Sequence, residues 1–165
     1  RMLSGHLQGR FLSLISKILQ PKLILEIGTY TGYSALCLAE GLDEKGQLIT
    51  IDINEELETF ARSFFNRSTY ASQIDYRIAD AKDEIKNIDG PIDLVYFDAF
   101  APSKQPEVWQ IDCFKKLYEL MAHKGRLVTY CAQGQFKRHL KQIGFEVYNP
   151  PGAFGKREMT VAIKP

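Results

Sequence analysis

The chain has 165 residues, 45% of them hydrophobic, 25% charged and 12% aromatic, with a formal net charge of +1. These fractions exclude global disorder and a fibrous repeat, and the length suits a single domain with its own core. No apolar run reaches the ~18 residues of a membrane span and no charged-then-apolar signal segment opens the chain, so a cytoplasmic protein without membrane contact is expected.

In chain order, Leu7, Phe11, Leu14, Ile15 and Ile18 recur at helical spacing over residues 7–19, and Pro21 stops that helix. Leu23–Ile27 is a short apolar run that predicts a buried strand. Gly28 and Gly32 follow, then a helix from Tyr33 to about Glu40, with Gly41 as its C-terminal stop. Gln47–Ile51 is strand-like and ends at Asp52. Glu55–Asn66 predicts an amphipathic helix with Leu57, Phe60, Ala61 and Phe64 on one face and acids at its start. Ile74–Ala79 is a third strand, followed by a weak helix from about Lys82.

Ile92–Phe97 is the fourth strand, and Ala99–Pro106 a loop with two prolines. Ile111–Met121 is helical, Arg126–Tyr130 a strand, and Phe136, Leu140 and Ile143 mark a helix closed by Gly144. Phe145–Tyr148 and Met159–Ile163 are the last two strands. This alternation predicts an α/β fold, a doubly wound seven-stranded and mostly parallel sheet with helices on both faces. The link 149–157 is too short for a helical crossover, so the last strand should run antiparallel to its predecessor.

Parallel sheets take ligands at the carboxyl ends of their strands. Four such ends carry informative residues. Glu26-Ile27-Gly28-Thr29-Tyr30-Thr31-Gly32 has two glycines that permit a tight turn and close ligand approach, or merely join strand to helix. Asp52, twenty residues beyond Gly32, can accept both hydroxyls of a ribose or cap the helix at Glu55. Asp80 can accept from an adenine amino group or cap the next helix. Asp98, before Ala99-Phe100-Ala101-Pro102, can orient an amine or accept its proton, or simply form a turn; Phe100 and Pro102 could wall a flat acceptor.

Together, residues 23–81 and 92–163 resemble the class I S-adenosylmethionine-dependent methyltransferases. The resemblance implies a Rossmann-like sheet of order 3-2-1-4-5-7-6 with strand seven reversed. It implies that S-adenosyl-L-methionine is the cofactor, leaving as S-adenosyl-L-homocysteine. Gly28, Thr29, Tyr30 and Gly32 would surround its methionine part, with Glu26 supporting that loop or the methionine amine. Asp52 with Ile53 would hold the ribose side, Asp80 with Ala81 the adenine, and Asp98 would face both cofactor and acceptor as the catalytic acid–base group.

Residues 2–88 resemble the small bacterial O-methyltransferases related to catechol and caffeoyl-CoA methyltransferases, through Met2-Leu3-Ser4-Gly5-His6-Leu7-Gln8-Gly9-Arg10, Leu25 to Ser34 and Ile53-Asn54-Glu55-Glu56-Leu57. Residues 92–165 are similar to the tRNA 5-aminomethyl-2-thiouridine methyltransferases. The carrying residues are Tyr96 to Pro102, Lys104-Gln105-Pro106-Glu107-x-Trp109, Val128 to Ala132 and Gly155-Lys156-Arg157-Glu158-Met159. The pair of families implies a hybrid joined near 88–95. The O-methyltransferase family places metal-binding acids after strands four and five. Here Ala99 and Phe100 follow Asp98, strand five ends Thr129-Tyr130-Cys131, and no metal is expected.

The second family implies methyl transfer to an exocyclic amine of a tRNA wobble uridine, with Phe100 and Trp109 stacking on the base and Lys156 and Arg157 on phosphate. Trp109 reads more readily as a core residue at a helix start. Charge agrees with an anionic partner or with chance scatter: residues 1–90 hold 10 Lys+Arg against 13 Asp+Glu, residues 91–165 hold 11 against 7. The alternatives are O-methylation of a small-molecule acceptor and a cofactor-binding scaffold without turnover. Cys37, Cys113 and Cys131 lie far apart and predict buried thiols.

Overall fold

The structure, a computed structural model, describes residues 5–151 and 158–165. Among these the chain forms seven strands in one sheet of order β3-β2-β1-β4-β5-β7-β6. The strands are β1 Leu23–Ile27, β2 Gln47–Asp52, β3 Ile74–Ile78, β4 Ile92–Phe97, β5 Met121–Thr129, β6 Glu146–Tyr148 and β7 Thr160–Ile163. The helices are α1 His6–Leu19, α2 Tyr33–Ala39, α3 Glu58–Phe65, α4 Ala81–Glu84, α5 Ile111–Leu120 and α6 Gly134–Ile143. Pairs β1–β2, β2–β3 and β4–β5 are parallel; β7 is antiparallel to both β5 and β6, as the short final link requires. No helix among the described residues is long and apolar enough to cross a membrane.

The chain divides into two compact units, Arg1–Asp80 and Ala81–Pro165. In the first, β1 and β2 supply Ile24, Leu25, Ile27, Leu48 and Ile51, which are buried along nearly the whole strand, as parallel strands covered by helices must be. Helix α1 forms where its apolar spacing predicts. Its apolar series Leu7, Phe11, Leu14 and Ile18 faces outward, each residue more than half exposed, while Gly9, Leu12, Ser13 and Ser16 face inward. The reason is polar. Arg10, Ser13 and Lys17 all converge on Glu40 at the end of α2, with Ser13 Oγ donating to Oε2 at 2.6 Å and Lys17 Nζ at 2.8 Å. Ser16 Oγ donates to the Leu38 carbonyl at 2.6 Å.

The same closeness explains Gly41. A Cβ there would lie 2.2 Å from the backbone of Ser16 and Lys17, so this glycine is required by the approach of α1, not by a left-handed helix stop. The Glu40 carboxyl is held down at about 2, chiefly by the Arg10 guanidinium and then by Lys17 and Ser13, against the opposing effect of burial. Helix α3 turns differently from expectation. A 3-10 turn takes Glu55–Leu57, and the residues buried in α3 are Ala61 and Phe65. Phe60 and Phe64 lie outside, 5.0 Å apart, with Arg67 over the Phe64 ring.

The second unit centres on Phe97, Phe114, Leu117, Leu127, Phe136 and Leu140. Strand β5 starts at Met121, five residues before the expected Arg126. Lys124 N–H and Gly125 C=O, ahead of the expected strand, both pair with Lys164 beyond β7. All three cysteines are buried and free of disulfides, as their spacing predicts.

Candidate functional site

The first unit builds its site on the ends of β1 and β2. Glu26 is fully buried, and Thr50 Oγ1 donates to its Oε2 at 2.5 Å. That uses the only Thr50 hydroxyl proton, so the 2.6 Å contact between the Thr29 and Thr50 hydroxyls must have Thr29 as donor. Glu26 therefore anchors the loop after β1 through two threonines. Gly28 N–H donates to Ile51 C=O at 2.9 Å and Gly32 N–H to Thr29 C=O at 2.9 Å, closing the loop.

Left-handed backbone occurs at Gly28, Tyr30 and Gly32. Gly32 has a second constraint: a Cβ would meet the Phe65 ring of α3 at 2.6 Å. At Tyr30, with φ of 49°, the backbone is strained for a side chain, and its N–H donates to Asp52 Oδ2 at 2.7 Å. Asp52 Oδ1 accepts from Asn54 N–H at 2.9 Å. The helix-capping role that Asp52 might have held falls instead to Asn54, whose Oδ1 accepts from Glu56 N–H at 3.0 Å. Asp52 is thus a partly exposed carboxylate fixed by two backbone donors, and each of its oxygens keeps further acceptor capacity. Ile53 stands beside it, exposed, and Asp80 is partly exposed at the end of β3.

Sequence reading missed one residue here. Tyr76 in β3 is 5% exposed, and its hydroxyl has no hydrogen-bond partner among the described residues. Burial, then the charges of Asp52 and Glu58, push its phenol up to about 12. The period-two alternation of Ile74, Tyr76 and Ile78 places it on a strand face, but only the fold puts that face by Asp52.

In the second unit, Asp98 follows β4 partly exposed, Ala99 is buried, Phe100 is 47% exposed, and Pro102 is partly exposed. Two side-chain donors hold this loop: Tyr130 Oη donates to the Ala99 carbonyl at 2.8 Å and Trp109 Nε1 to the Phe100 carbonyl at 2.7 Å. Neither role was legible in sequence. Trp109 is buried, edge-on to Phe97 at 4.8 Å and Phe136 at 5.3 Å, which removes it from base stacking and assigns it to the core. Burial and then the Asp98 charge push the Tyr130 phenol up to about 12, so it keeps its proton at neutral pH. Ala81, expected at an adenine, is buried at the start of α4. Lys156 and Arg157, expected on phosphate, lie outside the described residues. Among those residues no three His, Cys, Asp or Glu side chains are grouped to hold a metal ion.

Comparison with known proteins identifies the family. The pattern of the S-adenosyl-L-methionine-dependent methyltransferases matches residues 40–165. The chain belongs to that family. Its relatives are of two kinds. The bifunctional tRNA 5-methylaminomethyl-2-thiouridine biosynthesis protein MnmC of Ralstonia nicotianae is 38% identical over 88 residues, 53% of this chain and 13% of that protein. Catechol O-methyltransferase of Niastella koreensis is 34% identical over 99 residues, 58% of this chain and 45% of that protein. The chain therefore spans less than half the length of either relative. Among solved structures, the Bacillus cereus O-methyltransferase in complex with SAH has a TM-score of 0.77 and 22% identity, over 98% of this chain and 82% of that one. MNMC2 from Aquifex aeolicus has a TM-score of 0.71 and 22% identity, over 99% and 59%. Both likenesses establish the fold, a Rossmann-like methyltransferase sheet.

Proposed function

We propose that the chain binds S-adenosyl-L-methionine at the loop 28–32 and Asp52, and transfers its methyl group to an amine of the tRNA wobble-uridine aminomethyl kind. The carrying observation is the Asp52 carboxylate, oriented by the Tyr30 and Asn54 N–H groups at the end of β2. An acceptor-only group with spare lone pairs at a strand end suits a pair of ribose hydroxyls. The donors present therefore fit the cofactor, with Glu26, Thr29 and Thr50 holding the loop that takes its methionine part and Asp80 with Ala81 on the adenine side.

When bound, that cofactor supplies an electrophilic methyl on a sulfonium sulfur. The protein's task is to hold the acceptor nitrogen in line at ~3–3.5 Å and take its proton. Asp98, partly exposed after β4, would orient the acceptor amine and take its proton. Phe100 and Pro102 wall the acceptor, held by the Trp109 and Tyr130 hydrogen bonds to the loop backbone. The amine reading is supported by the MnmC relatives, and Lys156 and Arg157 would add phosphate contacts. A second reading, O-methylation of a catechol-type acceptor, is supported by the Niastella relative.

Calorimetric titration with S-adenosyl-L-homocysteine tests the cofactor site, and absent binding overturns it. Methyl transfer from labelled cofactor to undermodified tRNA, then to catechol with magnesium, separates the acceptors. Binding without transfer to either would mark a cofactor-binding scaffold. We also propose that the chain is a hybrid joined near 88–95, engineered or natural; two kinds of relative that each match little more than half of the chain support it, while the family pattern over residues 40–165 runs across the join. A natural relative aligning end to end, with even identity on both sides of 88–95, would overturn this.

A further inference from the structure

Tyr76 is the one buried tyrosine whose hydroxyl finds no partner among the described residues. A buried hydroxyl without a partner carries a desolvation cost that folded proteins rarely leave unmet. Its position suggests what meets it. Tyr76 is register-paired with Thr50, and Asp52 with Ile78, so Tyr76 and Asp52 project from one face of the sheet a single pleat apart. The Tyr76 ring stands edge-on to Phe65 at 5.5 Å, and Phe65 in turn lies directly against Gly32.

The ring is fixed on its other side as well. The Arg62 guanidinium lies over it at 5.0 Å, while Arg62 Nη2 donates to the Tyr76 carbonyl at 3.1 Å and Nε to Glu58 Oε1 at 2.7 Å. The groups that bear electrostatically on the hydroxyl are Asp52, Glu58 and Arg62. The ring is thus held between Phe65 and Arg62, on the sheet face it shares with Asp52. Asp52 can only accept hydrogen bonds. A ribose hydroxyl that donates its proton to Asp52 still presents lone pairs, and those call for a donor.

We propose that Tyr76 is a further cofactor-binding residue, its hydroxyl donating to a ribose hydroxyl oxygen of the nucleoside held by Asp52. The proposal rests on the cofactor reading above. It divides the sugar's recognition between an acceptor on β2 and a donor on β3, both set by strand register.

The test is titration of the whole chain with S-adenosyl-L-homocysteine, comparing wild type, Asp52→Ala and Tyr76→Phe, with thermal melting of each protein alone. Tyr76→Phe removes one oxygen and keeps the ring packing. The dissociation constant should rise about five- to ten-fold, the effect of one neutral hydrogen bond. Melting of the unliganded Tyr76→Phe protein should be unchanged or slightly higher, because a buried hydroxyl without a partner is gone. Wild-type affinity in Tyr76→Phe, with Asp52→Ala weakened, overturns this inference alone. A lowered melting temperature in unliganded Tyr76→Phe also overturns it, since the hydroxyl would then have a partner within the protein. No wild-type binding, or full affinity in Asp52→Ala, overturns the cofactor reading itself.

Discussion

Gly32 and Trp109 show how single atoms set the site. At Gly32 a methyl group meets two obstacles, a left-handed backbone and the Phe65 ring. Gly32→Ala should cost roughly 1–3 kcal/mol in denaturant unfolding, and an unchanged midpoint would show that the loop relaxes freely. Trp109→Phe keeps a ring in the aromatic cluster but removes the donor to the Phe100 carbonyl. Stability should fall by about 1–2 kcal/mol. Since the loop it releases carries Phe100 and Pro102, methyl transfer should suffer while the affinity for S-adenosyl-L-homocysteine stays within about two-fold. Equal loss of both would place Trp109 in general support of the fold.

At the scale of elements, the α1–α2 contact is a polar clamp inside an otherwise apolar unit. The folded-state Glu40 carboxyl sits at about 2, below its ordinary 4.5. A depressed acid stabilises the fold above its unfolded pKa and loses that contribution as pH falls through the folded value. Glu40→Gln should therefore lower stability at pH 7 by about 1–2 kcal/mol, allowing for the solvent around its partners. The gap from wild type should close between pH 4.5 and 2; a gap independent of pH would rule out the charge as its source. The outward stripe of α1 makes a sharper contrast. Leu14→Gln should change stability by less than ~0.5 kcal/mol. Leu12→Ala, on the buried face, should cost ~2–4 kcal/mol. Reversal of that order in chemical unfolding would mean that the face assignment is wrong.

For the whole molecule, the cofactor reading has a thermodynamic consequence. A ligand that binds only the folded chain, present at one hundred times its dissociation constant, adds ~2.7 kcal/mol. For a chain of this length that is a rise of roughly 5–10 °C in Tm with S-adenosyl-L-homocysteine. The site that would take it was partly legible in advance. Gly28, Gly32 and Asp52 stand out because loop geometry and a strand-end acid are local features of sequence. Tyr130 and Trp109 do not, because each acts through a partner from another element, the Ala99 carbonyl and the Phe100 carbonyl; Tyr76 does not, because only strand pairing puts it on the sheet face that carries Asp52. Helix facing at α1 and α3 is not legible either, because a count of apolar residues cannot weigh a partly exposed salt-bridge clamp or the choice between Phe64 and Phe65.

The sequence by itself determined the alternation of strands and helices, the antiparallel last strand and the glycine loop with its acid. These follow from side-chain periodicity, chain length between elements and backbone freedom, all of which are local. Tertiary structure alone decided that α1 turns its serines and glycine inward, that Asn54 relieves Asp52 of capping, and that the Tyr76 hydroxyl is buried with no partner among the described residues. Those outcomes depend on which distant groups meet, and hydrogen-bond satisfaction is a property of the packed chain.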